Sequence, residues 1–320
     1  MPTLSPIILF VYNRPWHTQQ TLEALAANFL ADQSTLYIYC DGPKENAEPE
    51  ELSKIEEVRK LIRKKQWCKE VIIKEREHNL GLSNSVIQGV TEVIEAHGSV
   101  IVLEDDILTG AYFLQFMNDG LNLYEKEPKV FGVSGYSYPA KAEIEEPTYF
   151  LPIGSSWSYA TWADRWKNVN FDSVQLKAEI DKNYLKNKIN FGKYPYYEML
   201  EDQIRSKNDS WAIRFYASMF LNNGFFLFPN KSLVQNIGFD NSGTHCKTDD
   251  FFSKINVQND EIKVEPIELK LNDKLVILVE QSFESRLNKI SQKYKSIKPQ
   301  STVKKIKALL KRGLRSLNLI

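Results

Sequence analysis

Apolar runs and helix-period segments alternate four times over the first 135 residues, which narrows the choice of fold more than any other feature. Residues 6–12, 36–39, 71–74 and 100–103 read as strands. Their near-continuous hydrophobicity fits strands buried on both faces, as in a parallel sheet with helices above and below. Between them, Leu22, Leu25, Ala26 and Phe29 recur at helical spacing. So do Leu52, Ile55, Val58 and Ile62 within residues 50–65, and Val86, Val90, Val93 and Ile94 after them. Pro15 is well placed to open the first helix. A helix near 110–124 and a strand at 129–133 extend the pattern. The predicted fold is α/β, a mixed but mostly parallel sheet built of right-handed crossovers and flanked by helices.

Each of these strands ends in polar residues. They are Asn13 and Arg14, then Asp41, then His78 and Asn79, then Glu104-Asp105-Asp106. Open α/β sheets bind ligands at the carboxyl ends of their strands, so the four clusters predict one ligand-binding rim. The acidic trio follows Val100-Ile101-Val102-Leu103 directly. Three adjacent carboxylates repel one another and need a positive partner. A hard divalent cation carrying a phosphate-bearing substrate would serve; a solvated acidic turn is the plainer reading.

Beyond about residue 136 the alternation stops and Pro, Tyr and Trp become frequent. The expected division is residues 1–135, a second half from 136 to 281, and a tail from 282 to 320. Residues 153–166 hold Trp157, Trp162 and Trp166. Positions 162 and 166 would share a helical face; core packing is expected for at least one of the three, and Trp157 is the one chosen for ligand contact. Asp209-Ser210-Trp211 opens a helix running to Asn223, with Gly224 as its stop. A strand at 225–229, a loop-rich stretch with His245, and short β-like runs over 257–279 follow.

The net charge is zero, yet residues 286–320 hold eleven Lys or Arg and no acid. Val303, Ile306, Leu309, Leu310 and Leu317 fall near helical spacing among these charges. A basic amphipathic helix of this kind suits an anionic membrane surface. With Tyr294 its only aromatic, the tail lacks the interleaved rings of a nucleic-acid binder. Three scattered cysteines form no disulfide or zinc spacing, which fits a reducing cytoplasm. No basic segment precedes an apolar one at the start, so no signal peptide is expected, and no apolar window is long enough to span a membrane.

The motifs at residues 10–15, Cys40-Asp41-Gly42, Asn79-Leu80-Gly81, Glu104-Asp105-Asp106, 157–166 and Asp209-Ser210-Trp211 stand in a characteristic order. In that order the chain resembles nucleotide-sugar glycosyltransferases of the GT-A fold, over roughly residues 5–246. It is similar to family-two-like bacterial enzymes, with the acidic trio and downstream Asp arranged as in animal N-acetylglucosaminyltransferases. The resemblance implies a UDP-sugar donor, Mn2+ or Mg2+, and a glycan or lipid-linked glycan acceptor. It implies that Asn13 and Arg14 wrap the nucleotide base and that Asp41 hydrogen-bonds it, with Asn79 and Gly81 closing over the nucleoside. Glu104-Asp105-Asp106 takes the place of the Asp-x-Asp motif. Asp106 would bind metal, Asp105 would contact ribose or a metal-bound water, and Glu104 and His245 would lie near the metal. Asp209 matches the general base of inverting members. A sugar nucleotidylyltransferase is the rival enzyme, but residues 13–15 lack the glycines of its phosphate loop. A non-catalytic nucleotide-sugar or glycan-binding module is the third reading.

Overall fold

The four apolar runs form parallel neighbours at one side of the molecule. They are β1 (Ile7–Val11), β2 (Thr35–Cys40), β3 (Glu70–Glu75) and β4 (Ser99–Glu104). The computed structural model describes residues 4–138, 144–240 and 255–296. Strand β1 is buried throughout, as are Val100 to Leu103 of β4. Each such aliphatic side chain contributes roughly 1.5–3 kcal/mol on burial, which explains why the runs are so uniformly apolar. The helices α1 (Pro15–Ala26), α2 (Pro49–Ile62) and α3 (Leu82–His97) connect the strands. Phe29 and Leu52 do not join the inward faces predicted for them and are exposed. Helix α1 ends before Phe29, whose ring instead stacks on Tyr112 at 6.0 Å. Leu52 lies in the first turn of α2, a turn before the buried Ile55.

After β4 come β5 (Ile107–Thr109), α4 (Phe113–Leu123), β6 (Val130–Ser134), β7 (Thr148–Leu151) and β8 (Tyr159–Trp162). Helices α5 (Ala163–Lys167), α6 (Ser173–Lys182), α7 (Tyr196–Ile204) and α8 (Trp211–Leu221) follow, then β9 (Phe225–Pro229), β10 (Val234–Asn236) and α9 (Asp273–Ser296). The main sheet has eight strands in the order β3-β2-β1-β4-β8-β6-β9-β7. Strand β8 runs antiparallel between β4 and β6, and β7 is antiparallel to β9. The sheet is therefore mixed and mostly parallel, with helices on its faces, as expected. Trp162 and Trp166 do not share a helix: Trp162 ends β8, whereas Trp166 is in α5. Strands β5 and β10 pair separately, antiparallel.

The β-like runs expected over 257–279 are not strands. From residue 255 the chain runs beside α4, where Gln115 donates to Glu261 at 3.1 Å and Tyr124, just past the helix, bonds Glu265 and Ile267. Gln258 N donates to Ser232 O at 2.8 Å, and Ala111 N donates to the Asn259 side chain at 3.2 Å. Helix α9 then starts at Asp273 and continues past residue 282. It buries Leu275, Val279, Phe283 and Arg286, a stripe at helical spacing. Phe283 lies 5.0 Å from the rings of both Tyr138 and Tyr194. Phe283→Ala should cost about 3–5 kcal/mol, measured as a lower urea midpoint with an unchanged slope. A loss below about 1 kcal/mol would mean that α9 is only loosely docked. Among the described residues no helix is long and apolar enough to cross a membrane.

Candidate active site

The carboxyl ends of β1 to β4 form one rim, since these strands are parallel neighbours. At its centre the acidic trio meets Arg14. The guanidinium pairs with Asp105 through Nη2 and through Nε (3.3 Å to Oδ2), and with Asp106 through Nη1 (2.9 Å to Oδ2). Burial works against the Arg14 charge, but Asp105 and Asp106 outweigh it and hold the group firmly protonated. Thr21 in α1 donates to the Asp105 carbonyl at 2.8 Å, fixing the turn from the other side. Arg14, expected on the nucleotide base, thus serves as the internal counter-charge of the acids. Sequence spacing gave no sign of this, because β1 and β4 are adjacent only once the sheet has formed.

Asp106 is buried, and its two oxygens differ. Oδ2 receives Arg14, while Oδ1 has no hydrogen-bond partner among the described residues. Short strand β10 brings Ile237 and Gly238 across the group. Ile237 N donates to the Asp106 carbonyl at 2.9 Å. A Cβ on Gly238 would overlap Asp106 Oδ2, so only glycine allows this approach. One residue later, Phe239 packs on Trp157 at 5.4 Å, and Asp240 Oδ2 lies 3.1 Å from His17 Nε2. The segment from 237 to 240 is thereby fastened to α1 and to the acids.

Glu104 has no hydrogen bond or ion pair among the described residues. Burial, then the charges of Asp106 and Asp105, push its carboxyl up to about 8. Tyr159 of β8 is close enough to feel that charge. Its phenol is driven well above its ordinary value by burial first and by Glu104 second, and its hydroxyl has no partner among the described residues. The Tyr159 ring lies 5.2 Å from Trp211 at the start of α8. This run of contacts links the acidic strand end to the helix that follows Asp209. Sequence reasoning missed Tyr159, which is one aromatic among many in its block.

Asp209 precedes α8 but does not cap it. The N-cap is Ser210, whose hydroxyl accepts from Ile213 N at 3.3 Å. The Asp209 side chain is 60% exposed, with Oδ1 at 3.4 Å from Arg214 Nη2. Arg214 is itself anchored. Its Nε donates to Ser210 O at 3.1 Å, and its Nη2 donates to Ser83 Oγ of α3. Ser83 sits inside the first turn of α3, whose cap position is taken by Gly81.

The remaining strand ends are tied up internally. Both Asp41 oxygens accept backbone amides: Gly42 and Leu80 at 3.0 Å on Oδ1, Gly81 at 3.1 Å on Oδ2. Asp41 therefore clamps the loop after β3. Asn79 completes the clamp by donating to Gly42 O at 3.0 Å. Gly81 has φ +75°, a conformation glycine adopts without strain. Asn13 donates to Glu51 of α2 at 3.3 Å, beside Tyr12 at 2.9 Å. Trp157, chosen for ligand contact, is 4% exposed and packs edge-on against Tyr136 at 4.7 Å. Trp16, two residues beyond Arg14, is 58% exposed. His245 lies outside the described residues.

The donor set suits a divalent cation of the hard kind. Asp106 Oδ1 is a buried carboxylate oxygen with no partner among the described residues and with Glu104 nearby. Among the described residues no three His, Cys, Asp or Glu side chains converge as a closed cage. One or two carboxylates completed by substrate phosphates is a common arrangement for Mg2+.

No family model and no curated protein matches the chain. Solved structures give partial overlaps. A mannosyltransferase from Pyrobaculum calidifontis, solved with GDP-Man and Mn2+, is 13% identical over 51% of this chain and 46% of its own, with TM-score 0.34. Residues 1–349 of S. aureus TarS are 12% identical over 72% of this chain and 59% of that fragment, with TM-score 0.40. Mouse xyloside xylosyltransferase 1 is 10% identical over 69% of this chain and 83% of its own, with TM-score 0.36. The chain thus spans less than two thirds of the first two.

Proposed function

We propose that the chain is a metal-dependent glycosyltransferase of the GT-A type. It would move a sugar from a nucleotide donor, UDP-linked by its resemblance, to a glycan or lipid-linked glycan. The reading is carried by the buried strand-end acid Asp106, with one oxygen unsatisfied, at a rim that contacts link to the helix behind Asp209.

Asp106, with Glu104 beside it, would hold Mn2+ or Mg2+. A bound cation of that charge would stabilise the diphosphate as it leaves. Asp105, held by Arg14, would face ribose or a metal-bound water. Asp41 and Asn79 act through the loop they clamp: they fix the Leu80 and Gly81 backbone that borders the nucleoside. Asn13 and Trp157 would border the ligand from behind Glu51 and Tyr136 respectively. Asp209 would take the acceptor hydroxyl's proton as the new bond forms, with Arg214 orienting the carboxylate. A base and a leaving group on opposite sides of the anomeric carbon invert its configuration. His245 would approach the diphosphate and metal. The basic tail would hold the protein at the inner, anionic face of a membrane, where lipid-linked acceptors are found.

The test is release of nucleoside diphosphate from a panel of UDP- and GDP-sugars, with and without Mn2+, in the presence of glycan acceptors. Metal-dependent release is expected. Pyrophosphate-linked synthesis of a nucleotide sugar would instead show a nucleotidylyltransferase. Metal-dependent binding without turnover would leave a binding module.

A further inference from the structure

Two of the three strand-end carboxylates already have a cation, and it belongs to the chain. Arg14 spans Asp105 and Asp106, and its side chain is only 15% exposed. On Asp106, Oδ2 is wedged between Arg14 Nη1 and the Gly238 backbone, while the main-chain carbonyl is held by Ile237 N. The carboxylate cannot turn to offer both oxygens. A divalent cation reaching it meets one oxygen with no partner among the described residues, and a neighbouring positive charge. Hard dications need six or more oxygen ligands in all, and like charges a few ångströms apart repel strongly away from bulk water. The chain alone therefore offers such an ion little. A nucleoside diphosphate changes both terms, because it brings oxygen ligands and negative charge that offsets Arg14.

We infer that Arg14 is a resident counter-cation that keeps the acidic strand end closed to free metal until a nucleoside diphosphate arrives, so that the two are taken up as one unit. This rests on the reading that the rim takes a nucleotide sugar. Arg14 acts through Asp105 and Asp106 and is a positioning residue.

The sign of one measurement separates this role from simple scaffolding. If Arg14 only ordered the carboxylates, its removal would weaken metal binding. If its charge opposes the metal, removal strengthens binding. Ordering one short side chain is the smaller effect, and removing a full charge beside a dication is the larger. Arg14→Gln should therefore bind Mn2+ alone at least roughly tenfold more tightly than the wild type. The readout is the free Mn2+ signal in electron paramagnetic resonance, at low salt and without nucleotide. Arg14→Lys keeps the charge and should keep the weak binding. Adding Asp106→Asn to Arg14→Gln should abolish the gain. Carboxylates exposed by misfolding would bind Mn2+ in both variants, so a gain that Asp106→Asn abolishes belongs to this site.

In the wild type, UDP or GDP should tighten Mn2+ binding by the factor by which Mn2+ tightens nucleotide binding, and this coupling should shrink in Arg14→Gln. Arg14→Gln binding Mn2+ no more tightly than the wild type would overturn the inference. So would a wild type that binds Mn2+ equally well with and without nucleotide, a measurement that does not depend on any variant folding. A wild type that takes up neither UDP nor GDP with Mn2+ would instead sink the nucleotide-sugar reading, and the comparison with Mn2+ alone would still judge Arg14.

Discussion

Asp106→Asn should reduce sugar transfer by about 10²–10³-fold or more while leaving the fold intact. The substitution preserves shape, so Gly238 can still back onto the side chain and Ile237 can still donate to the main-chain carbonyl. Arg14 keeps Asp105. The amide oxygen would turn toward Arg14, which repels the amide NH2 group. That leaves the NH2 where Asp106 Oδ1 now stands without a partner. A donor group then occupies the one position open to a cation. The change should appear in kcat/KM and in the Mn2+ dependence of nucleotide binding, with the melting temperature near that of the wild type. Transfer within about threefold of wild type would remove Asp106 from the metal site.

Asp209→Asn should lower kcat by about 10²–10⁴-fold, the usual contribution of a general base. The donor KM should change little, because Asp209 is assigned to the acceptor's proton. Stability should hardly move. The carboxylate is 60% exposed and makes one contact with Arg214 at 3.4 Å, and exposed pairs of this kind contribute about 0–1 kcal/mol. Capping does not confuse the result, since Ser210 caps α8. An unchanged kcat in single-turnover assays would end the assignment of Asp209 as base.

The strand ends were legible in the sequence because parallel strands buried on both faces leave an unbroken apolar signature. Runs such as Val100 to Leu103 can be little else. The partners of the polar residues at those ends were not legible. Arg14 finds Asp105 and Asp106 across two adjacent strands, and Asp41 finds the Leu80 and Gly81 amides across a crossover. Such pairings depend on sheet order, which no local pattern encodes. The burial of Trp157 was not legible either, because a ring looks the same in the sequence whether it is exposed or covered. Helix α9 was mistaken for β-like runs where it starts, although Leu275, Val279 and Phe283 carry a clear helical stripe. The one-residue offset between Asp209 and the capping Ser210 is within the ordinary uncertainty of helix ends.

The crossing of Gly238 over Asp106 also sets an order of events as the chain emerges from the ribosome. Arg14 and all three acids are made well before Gly238, and so are β1, β2, β3 and β4. The segment that covers Asp106 follows about 130 residues later in the chain. Until that moment the carboxylates stand in water, where their mutual repulsion is weak. By the time Ile237 and Gly238 dry out the site, the guanidinium is already in place to receive them. Asp105 and Asp106 thus never have to be buried without a counter-charge, the most unfavourable step such a pocket could require.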